Sequence, residues 1–303
     1  MNIVSIYKQF PTEADCIRHL EAVRWRGTPV CPYCGSPSSS PLPKEARHHC
    51  NACNTTFSVT VGTIFHHTHL DLQKWFLAVS LVLNAKKGLS ARQIARDLEV
   101  NKNTGWRMGM QIRKAMGERE QRELLTGIVE MDESYIGGKP RKGNTGSGTQ
   151  GGGKKSKRGR GTDKTPVVGM LQRGGKVRVQ VVKKSDLNAK GLAALVRRHV
   201  DTENSVLFTD QYPAYRPMRH FIEHRAVNHA ITYVAPDGTH TNSIEGFWAL
   251  LKRGIFGQYH HVTVRHLPKY LDEFSYRFDH RSADADELFA KTLARAVGEF
   301  SHD

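Results

Sequence analysis

Apolar positions over the first 120 residues recur at helical spacing. In TEADCIRHLEAVRW, residues 12–25, Ile17, Leu20 and Val23 fall on one face behind a Thr12 cap, and Cys16 sits in the same helix as a small core residue. Residues 70–85 place Leu72, Trp75, Phe76, Val79 and Leu83 on one stripe, which stops before Gly88. The stretch SARQIARDLEVNKNTGWRMGMQIRKAM then gives two helices in succession. Ser90 caps the first, Ile94, Ala95 and Leu98 turn inward, and the break falls near Glu99 to Asn101. This is the pattern of a helix-turn-helix, whose second helix offers Lys102, Asn103 and Arg107 outward. A plain helical pair would share the periodicity; the basic, Asn-bearing second helix favours a DNA reader.

From Gly127 the period changes. GIVEMDESYIGGK holds a short apolar run through Ile128, Val129 and Met131, ended by Gly137 and Gly138, as in a buried strand. VVGMLQRGG and KVRVQVVKK form two more strands about a Gly-Gly turn, a helix covers 188–200, and SVLFTD is a strand that ends on Asp210. This order predicts a ribonuclease-H-like mixed sheet, α+β or α/β in class, with its first and fourth strands side by side. Asp132 and Asp210 would then be neighbours, an arrangement that is costly unless a divalent cation lies between them. Downstream, Thr241 is the expected cap of a helix with Asn242, Glu245 and Lys252 roughly on one face and Ile244, Phe247, Trp248 and Leu251 on the other. Tyr135 and Tyr259 stand close to these motifs, where either could stack on a base or contact phosphate; Tyr135 serves equally as a strand packing residue.

Charge and cysteine usage sharpen the picture. The 303 residues are 38% hydrophobic, enough for a real core, and carry 45 Lys and Arg against 29 Asp and Glu, a net charge of +16. That balance is the footprint of a nucleic-acid binder. A membrane partner is not expected, because the longest apolar run, FLAVSLVL, is far below spanning length; with no signal peptide at the start, a cytoplasmic protein is expected. Cys31, Cys34, Cys50 and Cys53 form two CxxC units fifteen residues apart, the spacing of a zinc ribbon. A closed set of four thiolates leaves no position for water, so this zinc is expected to be structural. His48 and His49 beside Cys50 are then surface groups or phosphate contacts rather than ligands. Between 139 and 164 the chain turns to Gly, Ser and cations, expected as a flexible loop in which Lys154, Lys155, Lys157, Arg158 and Arg160 hold phosphates near the Asp132 strand. The expected domains are an N-terminal helix and ribbon over 1–66, a helix-turn-helix region over 67–120, and a catalytic domain over 127–290.

The blocks MDESYIGGK, LFTDQYPAY and HTNSIEGFWALLKRGIFGQYHHV, together with the ribbon, make the chain resemble bacterial insertion-sequence transposases of the DDE class, in the group with an N-terminal zinc ribbon, over nearly its whole length. The resemblance implies an enzyme that binds the terminal inverted repeats of its own element and cleaves and rejoins double-stranded DNA with two Mg²⁺ or Mn²⁺ ions, as a homo-oligomer when it pairs element ends. It implies Asp132 and Asp210 as metal ligands and Lys252 as the cation after the third ligand. The third position is Glu245 by the common spacing of seven residues before Lys252, and Asn242 by the asparagine often described in this group; both are expected to line the site, with Glu245 ahead as ligand. A non-catalytic DNA-binding regulator, or a structure-specific nuclease on the same fold, would share parts of this pattern.

Overall fold

The computed structural model describes residues 1–117, 123–137, 161–228 and 234–298. It divides into two compact units, Met1–Gly117 with His280–Asp303, and Glu118–Asp279. The ribbon and helical regions expected as separate domains therefore form one unit. The second unit ends at Asp279, short of the 290 expected for the catalytic domain, because the last helix packs within the first unit.

In the first unit, α1 (Ile3–Gln9) and α2 (Glu13–Trp25) lead into a three-stranded ribbon sheet, β1 (Ser39–Leu42), β2 (Arg47–Cys50) and β3 (Thr56–Phe57), all antiparallel. Thr12 and Asp15 form a reciprocal capping box at the start of α2. Helix α3 (Leu72–Asn84) is the hub, buried nearly all round rather than on one stripe, because α1, α2, α5 (Lys102–Met116) and α9 (Ala285–Ala296) all pack on it. The Phe76 ring meets Phe10 at 4.9 Å and Phe289 of α9 at 5.9 Å. Ala296 also accepts a hydrogen bond from the Ile64 N–H at 3.2 Å, so α9 belongs with the N-terminal elements. Cys16 is fully buried, and burial pushes its thiol up to about 12, as befits an inert core residue.

Helix α4 (Ala91–Asp97) starts on a Ser90 cap, and Glu99 turns the chain with a positive φ of 51°. Asn101 then caps α5 by accepting from the Asn103 N–H. Gly105 lets the two helices touch: a Cβ there would lie 2.6 Å from the Ala91 carbonyl oxygen.

The second unit is a five-stranded sheet made of β4 (Leu125–Ile136), β5 (Thr165–Gln172), β6 (Val177–Val181), β7 (Val200–Asp210) and β8 (Glu223–Val227), in the order β6-β5-β4-β7-β8. The pairs β6/β5 and β5/β4 are antiparallel, while β4/β7 and β7/β8 are parallel. This is the ribonuclease-H-like order, with the first and fourth strands of the unit adjacent. Helix α6 (Ala189–His199) covers one face, where Leu192 and Val196 meet Val129, Met131 and Leu207. Helices α7 (Asn242–Gly254) and α8 (Leu267–Asp279) cover the other, where Ile244, Trp248 and Phe274 meet Val167, Leu171 and Val177. With both faces covered, β5 is apolar along nearly its whole length. Among the described residues no helix is long and apolar enough to cross a membrane.

Candidate active site and metal centre

Side chains alternate along β4, and the alternation sorts its acidic residues. Met131 and Glu133 point toward α6, while Glu130 and Asp132 point toward α7. On β7, Leu207 belongs to the α6 side, so Phe208 and Asp210 share the α7 side. The last paired residues of the two parallel strands are Glu130 and Phe208; Asp132 and Asp210 each lie two residues further on and are therefore near neighbours on one face. Both are half-buried.

Asp132 also touches α7. The Trp248 indole N–H donates to its Oδ2 at 3.0 Å. Gly169, the β5 partner of Asp132, makes room for that ring: a Cβ there would lie 2.7 Å from Trp248 Cζ2. Burial, followed by the charges of Glu133 and Asp210, pushes the Asp132 carboxyl up to about 7 against the pull of the Glu133 N–H and the Trp248 indole. A carboxylate so disfavoured by its neighbours gains from any cation placed beside it. Asp210 Oδ1 accepts from the Tyr212 N–H at 2.9 Å. On the opposite face Glu133 accepts from the buried Tyr215 hydroxyl at 2.5 Å, which fixes it away from Asp132.

Asn242 and Glu245 are exposed in the first turn of α7, and Lys252 is half-buried two turns further on. Glu245 Oε1 accepts from the Thr241 hydroxyl at 3.4 Å. Thr241 stands at the N-cap position, but its side chain makes no cap bond, contrary to the expectation from sequence. Glu130 makes that bond instead. Its fully buried carboxylate accepts from the Ser243 and Ile244 N–H groups at 2.8 and 2.9 Å and from Arg173 Nε at 2.7 Å. The sequence patterns do not single out Glu130; a carboxylate two residues before Asp132, and so on the same face of the strand, is the available signal.

The structure puts Asp132 and Asp210 at neighbouring positions on one face of the sheet and brings α7 to Asp132 through Trp248, but it does not close Asp132, Asp210 and Glu245 into one ligand shell. Among the described residues, the group of acidic, His and Cys ligand atoms lying within 4.8 Å of one another is that of Cys31, Cys34, Cys50 and Cys53. Their Sγ atoms are 3.7 Å apart for Cys31 and Cys53 and 3.5 Å for Cys34 and Cys50. A zinc–thiolate tetrahedron with bonds of about 2.3 Å has edges of about 3.8 Å, so the four sulfurs fit zinc and are too far apart for disulfides. The Cys53 and Ala52 N–H groups pull the Cys50 thiol down to about 6, toward the thiolate a metal needs. His48 is neither ligand nor surface group. It stacks on Phe57, meets Trp25 edge-on and bonds Glu21 at 2.8 Å.

Lys102, Asn103 and Arg107 are exposed on α5 together with Trp106, which the helix-turn-helix pattern did not mark out; Arg107 also donates to the His66 carbonyl at 3.1 Å. The Tyr259 hydroxyl is committed to the buried Glu273 carboxylate, 3.0 Å from each oxygen, so it packs rather than reaching for DNA. Lys154, Lys155, Lys157, Arg158 and Arg160 lie outside the described residues.

A ribonuclease-H-like sheet with aspartates at its first and fourth strands, in a chain that also carries a four-thiolate ribbon and a helix-turn-helix, defines a DDE transposase. Residues 124–279 match the ISXO2-like transposase domain and residues 11–56 the transposase zinc-ribbon domain. The chain belongs to the ISXO2-like transposase family. It is 30% identical over 281 residues to an uncharacterized protein in transposable element ISH50 of Halobacterium salinarum, covering 89% of this chain and 92% of that one. Among solved structures, it is similar to the Mos1 strand transfer complex at 16% identity and TM-score 0.31, covering 73% of this chain and 74% of that one. It is similar also to a Mos1 paired-end complex with the left transposon end at 19% identity and TM-score 0.30, covering 75% and 80%.

Proposed function

We propose that this transposase binds the terminal inverted repeats of its insertion sequence and catalyses DNA strand cleavage and strand transfer in the cytoplasm, at the nucleoid. The observation that carries the reading is that Asp132 and Asp210 occupy neighbouring, half-buried positions on one face of the sheet, with Trp248 of α7 bonded to Asp132. Hard carboxylate oxygens in that arrangement suit Mg²⁺ or Mn²⁺, held by Asp132 and Asp210 with Glu245 as third ligand and Asn242 beside it. Such ions, when bound, supply activation of the attacking oxygen and stabilisation of the leaving 3′-oxygen.

The protein's own groups do the positioning. Trp248 orients Asp132 through its indole N–H, and the Tyr212 N–H orients Asp210. Lys252 supplies a positive charge to the DNA phosphate at the reacting end. The exposed start of α5 reads the repeat through Lys102, Asn103 and Arg107 in the major groove. The cations at 154–160 add phosphate affinity without reading sequence. The four-thiolate zinc holds the ribbon and takes no part in the chemistry. Pairing two ends calls for at least two copies of the chain.

The test is to incubate the purified protein with a labelled terminal-repeat end, a target plasmid and Mg²⁺, and to look for the joined product. Joining supports the reading. Binding of the end without nicking or joining at any divalent cation would favour a DNA-binding regulator instead.

A further inference from the structure

The two aspartates lie on the sheet, whereas the third ligand proposed for their cations lies on α7, more than thirty residues after Asp210 and more than a hundred after Asp132. A helix can slide or tilt on a sheet by an ångström at little cost to packing, yet an error of that size removes a ligand from a metal. The first turn of a helix also leaves its N–H groups without partners inside the helix. At α7 the side chain at the cap position does not serve them.

Glu130 meets both needs. It leaves β4 on the same face as Asp132, two residues earlier, and its Oε2 receives the Ser243 and Ile244 N–H groups. Its Oε1 is held by Arg173 Nε, and the same guanidinium donates to the His240 carbonyl at 3.0 Å, just before α7. Arg173 is fixed in turn: its N–H donates to the Ile128 carbonyl at 2.9 Å, and its side chain lies 4.8 Å over the Phe208 ring. One fully buried carboxylate thus ties the strand of Asp132 to the helix end that carries Asn242 and Glu245, with the positive end of the α7 dipole directed at it. Trp248 bonded to Asp132 is a second tie further along the helix.

We infer that Glu130 is a positioning residue for the catalytic cations: it keys the N-terminus of α7 to β4 and so sets the distance of Glu245 and Asn242 from Asp132. The inference rests on the proposed function. Glu130 does not itself bind metal, because its oxygens are already taken by donors.

The variant Glu130→Gln keeps the shape and one acceptor but cannot serve both the helix end and Arg173; Arg173→Gln leaves Glu130 in place and removes its other arm. Glu130→Gln should leave terminal-repeat binding unchanged, raise the Mn²⁺ concentration needed for half-saturation in a direct binding titration by about 10–100-fold, and lower strand transfer to match at limiting metal. Amide exchange should speed up at residues 243–246 and stay unchanged in β4 and β7. Arg173→Gln should shift the same readouts less, and the double variant should fall short of the product of the two effects. If Glu130→Gln fails to fold, Arg173→Gln decides by the same readouts. Unchanged Mn²⁺ binding and unchanged exchange at α7, in a protein whose Asp132→Asn variant is inactive, would overturn the role of Glu130 alone. Lower activity with unchanged metal binding and a lower melting temperature would reduce it to a folding role, and would overturn it likewise. Parent activity that survives Asp132→Asn would instead overturn the proposed function.

Discussion

Asp132 shows how one position collects its character from four others. Its strand places it beside Asp210, its β5 partner Gly169 opens space for Trp248, and Trp248 fixes one oxygen, while Glu133, the next residue, is drawn to the far face by Tyr215. The choice between Glu245 and Asn242 belongs to this scale. If Glu245 is the ligand, Glu245→Gln removes a charge that holds a cation and should lower strand transfer by at least about a hundredfold, with partial rescue by excess Mg²⁺. Asn242→Ala should cost less than about tenfold, because a neutral amide is a weak ligand for a hard cation. The reverse order of the two effects would transfer the role to Asn242. A different residue sets a pH limit on folding. His19 lies against the Phe10 and Phe76 rings at 4.9 and 6.0 Å, and burial lowers its pKa below its ordinary 6.5. The folded ring thus refuses a proton that the unfolded chain accepts, so stability present above about pH 6.5 is lost as the pH falls. His19→Leu should narrow the gap in melting temperature between pH 7.5 and 5.5 by about 2 °C or more; an unchanged gap would mean His19 does not titrate in this range.

The ribbon is the element whose stability rests on a single bond set. Its sheet is short and its core small, Phe57 with Trp25 and the cysteines, so the metal stands in for hydrophobic burial. Zinc chelation, or Cys31→Ser, should expose residues 26–60 to limited proteolysis and weaken terminal-repeat binding. The β4–β8 unit should keep its circular-dichroism transition. Loss of that transition on chelation would mean the zinc supports more than the ribbon. The ribbon and the helix-turn-helix were legible in sequence because their signals are local: CxxC spacing, caps at Ser90 and Thr12, and a turn at Glu99. Strand order was legible because β4, β5, β6, α6 and β7 follow one another along the chain. What escaped depends on contacts distant in sequence. The carboxylate that caps α7 comes from a strand more than a hundred residues away, whereas local sequence points to Thr241 for that bond. Periodicity says that α9 has an apolar face, not that the face meets Phe76. Tyr259 could be assigned to DNA from sequence because nothing in its neighbourhood announces the buried Glu273, fourteen residues on.

At the scale of the molecule, charge and chemistry are divided among separate parts. On the proposed function, the net charge of +16 supports DNA affinity of any sequence, the exposed Lys102, Asn103 and Arg107 of α5 are the base readers, and Asp132 and Asp210 are the reacting centre, beside a helix tied to the sheet by Glu130. Neutralising Lys154, Lys155, Lys157, Arg158 and Arg160 together should lower affinity for specific and random duplexes alike. It should also flatten the dependence of log affinity on log salt by up to about 0.9 for each DNA phosphate that the variant no longer neutralises. A slope equal to that of the parent would make the segment a linker. The central claim is that the side-by-side aspartates hold the cations for strand transfer, and the most direct measurement compares joining of a labelled terminal-repeat end by the parent, Asp132→Asn and Asp210→Asn at matched end binding. Each variant gives up several kcal/mol of charge stabilisation and should join at least about a thousandfold more slowly while binding the end as the parent does. Joining at the parental rate by either variant would contradict the account.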